Sequence, residues 1–251
     1  MSLVISLIST VLCAVVYIRM YKKDLPDPIT KRKAAVPPVL GFFAPVLSTA
    51  AVGLLSVALV SIFGGDIVTK IPSLILRSLV SSFILAGFTE EAIKFLIYLI
   101  VLKITKPKNV YEYGMLCSGI GFGFTALEIL LYGATNTLVA VARLPLFAMH
   151  MIFGLVMGIF WGLAKYSRQH GMSGSGKYTF LALFLPVLWH TAIDAATTAN
   201  AGIRAGDETQ QKIAVVIALV MIAASIAGEI ILLVGFRKKS AEYCGMAIDV
   251  K

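Results

Sequence analysis

Residues 39–63 read VLGFFAPVLSTAAVGLLSVALVSIF, a run of 25 residues without a charged side chain. At about 1.5 Å per residue this run forms a helix of roughly 37 Å, long enough to cross the roughly 30 Å hydrocarbon core of a bilayer. The whole chain is similar: of 251 residues, 59% are apolar and 14% are charged, and the mean hydropathy is +0.90. A water-soluble fold of this length cannot bury so much apolar surface. The sequence therefore predicts an integral membrane protein and excludes disordered, collagen-like and disulfide-rich classes.

Seven apolar runs are long enough to be transmembrane helices, which predicts an all-α, polytopic helix bundle that forms a single transmembrane domain over residues 1–251. The predicted spans are residues 2–18, 39–63, 82–102, 111–132, 144–165, 179–200 and 212–236. Residues 71–81 either extend the third span outward or lie along the interface. No positively charged segment precedes the first run and no small-residue cleavage motif follows it, so we expect it to be a retained helix.

Lysine and arginine side chains fall mostly on one side of these spans. Sixteen of them lie in the loops and tail of one side, and four lie on the other. Because cytoplasmic loops are enriched in Lys and Arg, we expect the N-terminus outside and the C-terminus in the cytoplasm. The formal charge of +9 then reflects topology, so we expect contact with the lipid bilayer and none with nucleic acid. The three cysteines have no motif spacing, which excludes a disulfide framework or a thiolate metal site.

Ionisable side chains inside a bilayer are costly and are candidates for function. Eight lie within the predicted spans: Glu90, Glu91, Lys94, Glu128, His150, His190, Asp194 and Glu229. Counted from the outer end of each span, the glutamates, histidines and aspartate of the third to sixth spans lie about 6–15 Å deep. Four helices therefore bring carboxylates and imidazoles to one level. Glu229 lies near the cytoplasmic end of the seventh span and is left out of the predicted site.

The spacing of these residues suggests which of them pair. Glu90 and Lys94 are four residues apart and share a helix face, whereas Glu91 is turned about 100° away and is free to face the centre. His190 and Asp194 have the same spacing, which lets a carboxylate orient an imidazole. Glycines that permit close helix packing lie on the spans of Glu128 and His150: Gly119, Gly121, Gly123, Gly154, Gly158 and Gly162.

Two chemical schemes fit such a cluster. Two imidazoles and a carboxylate are a usual ligand set for catalytic zinc, with a further glutamate as general base. Without a metal, a glutamate takes a proton from water while an imidazole and a neighbour stabilise the oxyanion. No motif indicates a serine or cysteine nucleophile. Both schemes are hydrolytic, and peptide-bond hydrolysis is the favoured use of such water activation within a membrane.

Four motifs in order carry a family resemblance. They are EExxK at 90–94, FxxxE at 124–128, HxxxxxxxG at 150–158 and HxxxD at 190–194. In this order, on successive spans, they resemble the PrsW family of intramembrane proteases within the broader superfamily of CAAX proteases and bacteriocin-processing enzymes. The motif-bearing core covers about residues 82–200.

The resemblance implies an intramembrane endopeptidase of the prokaryotic cell membrane. Its implied substrates are single-span, membrane-anchored regulators such as anti-sigma factors, cut near the outer face. Glu90 or Glu91 would activate water, and Asp194 would orient His190. The implied centre is completed by Glu128, His150 and His190, which are also the predicted zinc ligands. The metal-dependent and the metal-free schemes both stay open, and we expect no organic cofactor.

Two other functions compete with this interpretation. A cation- or proton-coupled transporter also places Glu, His and Asp at mid-membrane, although the sequence has no internal repeat and no pair of broken helices in corresponding halves. A non-catalytic scaffold with a protease-like fold is the third hypothesis. The complete set of four motifs favours the protease.

The charge asymmetry predicts the orientation of the termini. A reporter fused after Lys251 should be cytoplasmic and one fused before Met1 should be external, because the cations mark the cytoplasmic side. Reporter activity in intact cells measures both. An external C-terminus would contradict the predicted number of spans and the outer position of the predicted site.

Overall fold

The computed structural model describes residues 2–23, 29–65, 68, 70–133, 144–203 and 208–249. Within these ranges the secondary structure is helical, without a β-strand. The main helices are α1 (Ser2–Lys23), α2 (Lys31–Phe42), α3 (Ala44–Phe63), α4 (Leu74–Ser82), α5 (Thr89–Thr105), α6 (Val110–Gly133), α7 (Met149–Gln169), α8 (Ser175–Ile203), α9 (Glu208–Lys238) and α10 (Ser240–Gly245). A π-helix, Phe83–Phe88, joins α4 to α5, and a 3-10 turn, Leu144–Leu146, precedes α7.

Six helical segments among the described residues are long and apolar enough to cross a membrane. They are Leu3–Lys22, Lys31–Phe63, Val110–Leu131, Met149–Gln169, Ser175–Thr197 and Gln211–Lys238. This confirms a multi-pass, all-α membrane protein. The predicted span 82–102 is not among the six, because the π-helix takes up its first residues and leaves α5 as a helix of 17 residues. Helix α4, the π-helix and α5 follow one another without a break, which is compatible with residues 74–81 extending this span. The seven-span count and the orientation stay predictions.

Helix α6 is the centre of the bundle. In its span 78% of the most apolar stretch is buried, whereas the corresponding value for the α2–α3 span is 6%. Helices α1, α2 and α7 pack around α6, and their shared core includes Tyr17, Leu116, Ile120 and Leu155. The face of α3 that points away from this core is the one we expect lipid to cover.

The beginning of α6 is fixed by its own sequence. The backbone N–H of Glu112 donates to Asn109 Oδ1 at 2.9 Å, and the N–H of Lys108 donates to Glu112 Oε2 at 2.9 Å. These bonds satisfy donors that a helix N-terminus leaves without a partner. The start of α6 at Val110 in turn fixes where Glu128 lies along the helix.

Glycines let the neighbours of α6 approach its backbone. Gly121 of α6 lies against the carbonyl of His150, and Gly154 of α7 lies against the carbonyl of Cys117. A Cβ atom at either glycine would overlap those backbone atoms. The predicted role of these glycines in close packing is therefore confirmed at these positions.

The π-helix ends at Phe88, two residues before Glu90. Its Gly87 packs against Thr191 of α8 so closely that a Cβ would overlap the threonine side chain. Thr89 Oγ1 donates to the carbonyl of Ile84 at 2.5 Å. π-Helical turns are rare and are frequent at functional sites. Here the π-helix brings the beginning of α5 into contact with α8.

Gly121→Ala should separate α6 from α7, because its methyl group would meet the backbone of His150. Overpacking of this kind costs about 1–3 kcal/mol. Thermal unfolding in detergent should show a lower midpoint than for the unaltered chain. Gly176→Ala is the matched control, since a Cβ at Gly176 meets no atom within 4 Å. Equal midpoints for the two variants would contradict the close packing described here.

Candidate active site

Four helices deliver the predicted site residues to one cluster. Helix α5 supplies two glutamates and a lysine, α6 one glutamate, α7 one histidine, and α8 a histidine and an aspartate. These residues are Glu90, Glu91, Lys94, Glu128, His150, His190 and Asp194. Hydrogen bonds and close ionic contacts connect all seven. The structure thus brings together every residue of the predicted catalytic set.

Glu91 is at the centre of this cluster. Its Oε1 accepts hydrogen bonds from Lys94 Nζ at 2.7 Å and from His190 Nδ1 at 2.8 Å, and the side chain is fully buried. The expected ion pair of Lys94 with Glu90 is present, with Lys94 Nζ 3.7 Å from Glu90 Oε2, but the expectation that Glu91 is free is wrong, because Glu91 is the closer partner of Lys94. The three-residue spacing serves as well as the four-residue one on a helix surface, and here the partner on α8 decides between them.

Lys94 also connects α5 to α7. Its Nζ lies 2.9 Å from His150 Nδ1, and His150 Nε2 lies 2.9 Å from Glu128 Oε2. An ammonium group only donates, so Nδ1 of His150 accepts and Nε2 carries the hydrogen that Glu128 accepts. Glu128 thereby orients His150.

The second nitrogen of His190 faces two carboxylates. Its Nε2 is 3.7 Å from Glu90 Oε2 and 3.6 Å from Asp194 Oδ2, both longer than a hydrogen bond. Because Nδ1 donates to Glu91, Nε2 of the neutral ring has an available lone pair. The predicted orienting partner of His190 is Asp194, whose Oδ2 lies 3.6 Å from Nε2, whereas the hydrogen bond that holds this ring is the one that Nδ1 donates to Glu91.

Glu90 has the chemistry of a ligand or a base. Its Oε2 is buried and makes no hydrogen bond, while 17% of its side chain is exposed. Glu91 also has one oxygen, Oε2, without a hydrogen bond, but its side chain is 0% exposed. A buried carboxylate oxygen without a donor is costly unless something binds it. Of the two adjacent glutamates, Glu90 is the one that water or an ion can reach.

Aromatic rings close the site on one side. Lys94 Nζ lies 3.9 Å from the ring centroid of Phe124, close enough for a cation–π interaction. The ring of Phe153 stacks on the imidazole of His190 with centroids 5.2 Å apart. These apolar walls exclude water, which strengthens the ionic contacts among the groups that they surround.

The donor atoms fit a metal ion. Glu90, His150 and His190 each offer an atom, and the three atoms lie within 4.8 Å of one another. Around a tetrahedral zinc ion, nitrogen and oxygen ligands are separated by about 3.4 Å, close to the 3.7 Å between Glu90 Oε2 and His190 Nε2. His150 would exchange one of its two hydrogen bonds for such a ligand bond. The predicted zinc set, which has Glu128 in place of Glu90, stays a prediction.

Glu229 lies closer to the site than its position in the sequence suggests. Its carboxylate accepts the backbone N–H of Ala148, two residues before His150, so the expectation that Glu229 does not share the level of the site residues is wrong. Cys13 Sγ, at the middle of α1, contacts the carbonyl oxygen of Phe147 at 2.9 Å. Helix α7 therefore begins beside the middle of α1, and a depth counted from the ends of apolar runs misses this. The sequence did offer a signal for this residue, because Glu229 is a carboxylate within an otherwise apolar run.

Comparison with known protein families matches residues 40–226 to the PrsW family intramembrane metalloproteases. The chain belongs to the PrsW family. It is 36% identical over 121 residues to a Protease PrsW of Halalkalibacterium halodurans, a match that covers 47% of this chain and 54% of the relative.

Two further relatives of the same name give similar matches. The Protease PrsW of Shouchella clausii is 31% identical over 120 residues, covering 45% of this chain and 52% of that protein. The Protease PrsW of Bacillus subtilis is 31% identical over 123 residues, covering 47% and 54%. The chain thus spans about half the length of the curated relatives that it matches. No solved structure matches it.

The PrsW family match contains all four predicted motifs and ends at residue 226, before Glu229. The family resemblance of the motifs is therefore confirmed. Lys94 is part of the first motif and lies within the matched range, whereas Glu229 lies outside that range.

The two adjacent glutamates should respond differently to loss of charge. Glu91→Gln leaves Lys94 buried without its close partner, which costs about 3–5 kcal/mol for a buried pair. Glu90→Gln removes a carboxylate whose Oε2 makes no hydrogen bond, so its effect on stability should be small. Thermal midpoints of the purified variants measure this difference. A Glu90→Gln midpoint as low as that of Glu91→Gln would contradict the assignment of Glu91 as the structural carboxylate.

Proposed function

We propose that this PrsW family member is an intramembrane endopeptidase that cuts membrane-anchored regulatory proteins. The observation that carries the proposal is Glu90, a partly exposed side chain whose Oε2 makes no hydrogen bond and lies 3.7 Å from His190 Nε2. The relatives, which bear the name Protease PrsW, support the same activity. In this proposal the site comprises Glu90, Glu91, Glu128, His150, His190 and Asp194, with distinct roles.

Hydrolysis needs a group that removes a proton from water. When no metal is present, Glu90 takes this proton, the water oxygen bonds to the substrate carbonyl carbon, and the C–N bond breaks as the proton passes to the leaving nitrogen. If Glu90 is a metal ligand instead, Asp194 would take the proton. Its carboxylate is also close to His190 Nε2, and 24% of its side chain is exposed.

Glu90, His150 and His190 would hold a zinc ion. Bound zinc would polarise the substrate carbonyl and lower the pKa of a bound water. The remaining residues hold these groups in place. Glu91 fixes the ring of His190 through Nδ1, Glu128 fixes His150, and Lys94 offsets the charge of the two adjacent glutamates.

The proposed topology has seven spans, with the N-terminus outside and the C-terminus in the cytoplasm. The site then lies in the outer half of the membrane. Substrates implied by this location are single-span regulators such as anti-sigma factors, cut near the outer face. Lipid tails offer a polypeptide no hydrogen-bond partners, so a cleavable segment must unwind within the protein.

Glu90→Gln should abolish cleavage of single-span substrates while the protein stays folded. His190→Ala should lose cleavage and also bound metal, because it removes one of the three proposed ligands. Cleavage by purified protein in vesicles and metal content per chain measure these effects. The matched control is Glu208→Gln, whose side chain is 81% exposed and far from the site in α9's first turn.

Three results would contradict parts of this proposal. Full cleavage by Glu90→Gln would remove Glu90 from the chemistry. An active preparation without bound metal, unaffected by strong chelators, would exclude the zinc scheme and leave Glu90 as the base. Proton- or cation-coupled flux in liposomes, without any proteolysis, would favour the transporter.

A further inference from the structure

A cavity of about 340 Å³ lies between α7, α8 and α9. Its walls include Ile152 and Phe153 of α7, Pro186 and Trp189 of α8, and Glu229 of α9. The Phe153 ring that forms part of its wall also stacks on the imidazole of His190. One aromatic ring therefore separates the cavity from the candidate active site. Its volume falls within the range of ligand pockets.

The wall of this cavity carries a buried carboxylate. Glu229 is 6% exposed, and although its carboxylate accepts the N–H of Ala148, its Oε1 makes no hydrogen bond. The remaining lining residues are almost entirely apolar. A buried carboxylate oxygen without a donor is costly and indicates a missing partner.

The cavity opens toward the side of the bundle. Three of its lining residues are partly exposed on the outer surface of α8 and α9: Leu188 at 53%, Trp189 at 39% and Leu232 at 38%. In a membrane this surface faces lipid. A segment embedded in the bilayer can therefore enter between α8 and α9 without crossing the polar ends of the helices.

We propose that the cavity is a substrate subsite, which binds apolar side chains of the substrate's membrane-embedded segment beside the bond to be cut. This assignment rests on the proposed protease function and deepens it. Glu229 hydrogen-bonds the backbone of the substrate where its helix has unwound. The preferred substrates then carry large apolar residues, such as Leu, Met or Phe, next to a locally unwound stretch.

Glu229 distinguishes a peptide from a lipid chain as occupant. An unwound peptide within the membrane has backbone N–H and C=O groups without partners, and each is costly in lipid. A carboxylate accepts from such an N–H, and a protonated carboxyl donates to such a C=O. An acyl chain offers neither group and would leave Oε1 without a partner. The peptide is therefore the occupant that this cavity fits.

Photocrosslinking tests the subsite independently of cleavage. The full chain with Glu90→Gln is reconstituted in phosphatidylglycerol and phosphatidylethanolamine vesicles. The probe is a synthetic single-span Leu/Ala peptide with a Gly-Pro pair and a diazirine-bearing leucine in its outer half. Crosslinks should map to cavity residues such as Ile152 and Trp189. A matched peptide without the Gly-Pro pair should crosslink there less.

Cavity-filling variants supply the control. A Cβ at Gly228 would lie 3.9 Å from Trp189 Cζ2, so Gly228→Phe is expected to fold and fill the cavity. It should lower crosslinking about tenfold, equivalent to a tenfold weaker affinity. Gly235→Phe is on the same helix, where a Cβ meets no atom within 4 Å, and should have no effect. Glu229→Leu should lower crosslinking by the peptide but not crosslinking by a diazirine-bearing lipid.

The outcomes separate the subsite from the protease function. Peptide crosslinks in the cavity that Gly228→Phe removes support the subsite, even where no cleavage is ever found. Cleavage by the unaltered chain, with the peptide crosslinked elsewhere, overturns the subsite and leaves the protease. Equal labelling of the cavity by a diazirine phosphatidylglycerol, undiminished by the peptide, also overturns it. If Gly228→Phe does not fold, Ser225→Leu replaces it in the test, because Ser225 lines the same cavity one turn earlier on α9.

Discussion

The arrangement of the site depends on one buried interaction, the contact of the Glu91 carboxylate with Lys94 and His190. A fully buried carboxylate must be paired to be tolerated, and Glu91 finds both partners through a single oxygen. Because one partner is on α8 and Lys94 also reaches His150 of α7, this interaction fixes three helices relative to each other. Glu128 then adds α6 through His150. A buried ionic network of this kind adds little to stability, and we interpret it as a device that specifies geometry.

This constraint explains the different environments of two adjacent carboxylates. Each has one oxygen without a hydrogen bond, but Glu91 is fully buried and its other oxygen accepts from Lys94 and His190, whereas Glu90 is partly exposed and its Oε2 faces His190 Nε2. Residues on neighbouring positions of a helix are turned by about 100°, so one can hold the structure while the other meets solvent, ion or substrate. Tight glycine contacts, such as Gly121 against the carbonyl of His150, bring the helices close enough for both arrangements. Packing and chemistry are thus set by the same few contacts.

Much of the fold and of the site could be predicted from the sequence, for physical reasons. Charge and hydropathy are properties of each segment, so the membrane class and the helical spans follow from them, apart from the helix that the π-turn at Phe83–Phe88 divides. The order of the four motifs indicated the family. The closer partner of Lys94 could not be predicted, because a lysine reaches residues three and four positions away on its own helix equally well, and Glu91 is held by its contact with His190 of α8. The depth of Glu229 was missed because α7 begins within the bundle beside Cys13, which the apolar run does not reveal.

A double-mutant cycle on Glu91 and Lys94 tests the central claim most directly. The free energy of unfolding would be measured for Glu91→Gln, Lys94→Met and the combined variant. If the buried pair organises the site, the combined variant should be less destabilised than the sum of the two single changes by about 1 kcal/mol or more, since neither charge is then left without its partner. Additive effects, with a coupling energy near zero, would contradict the account.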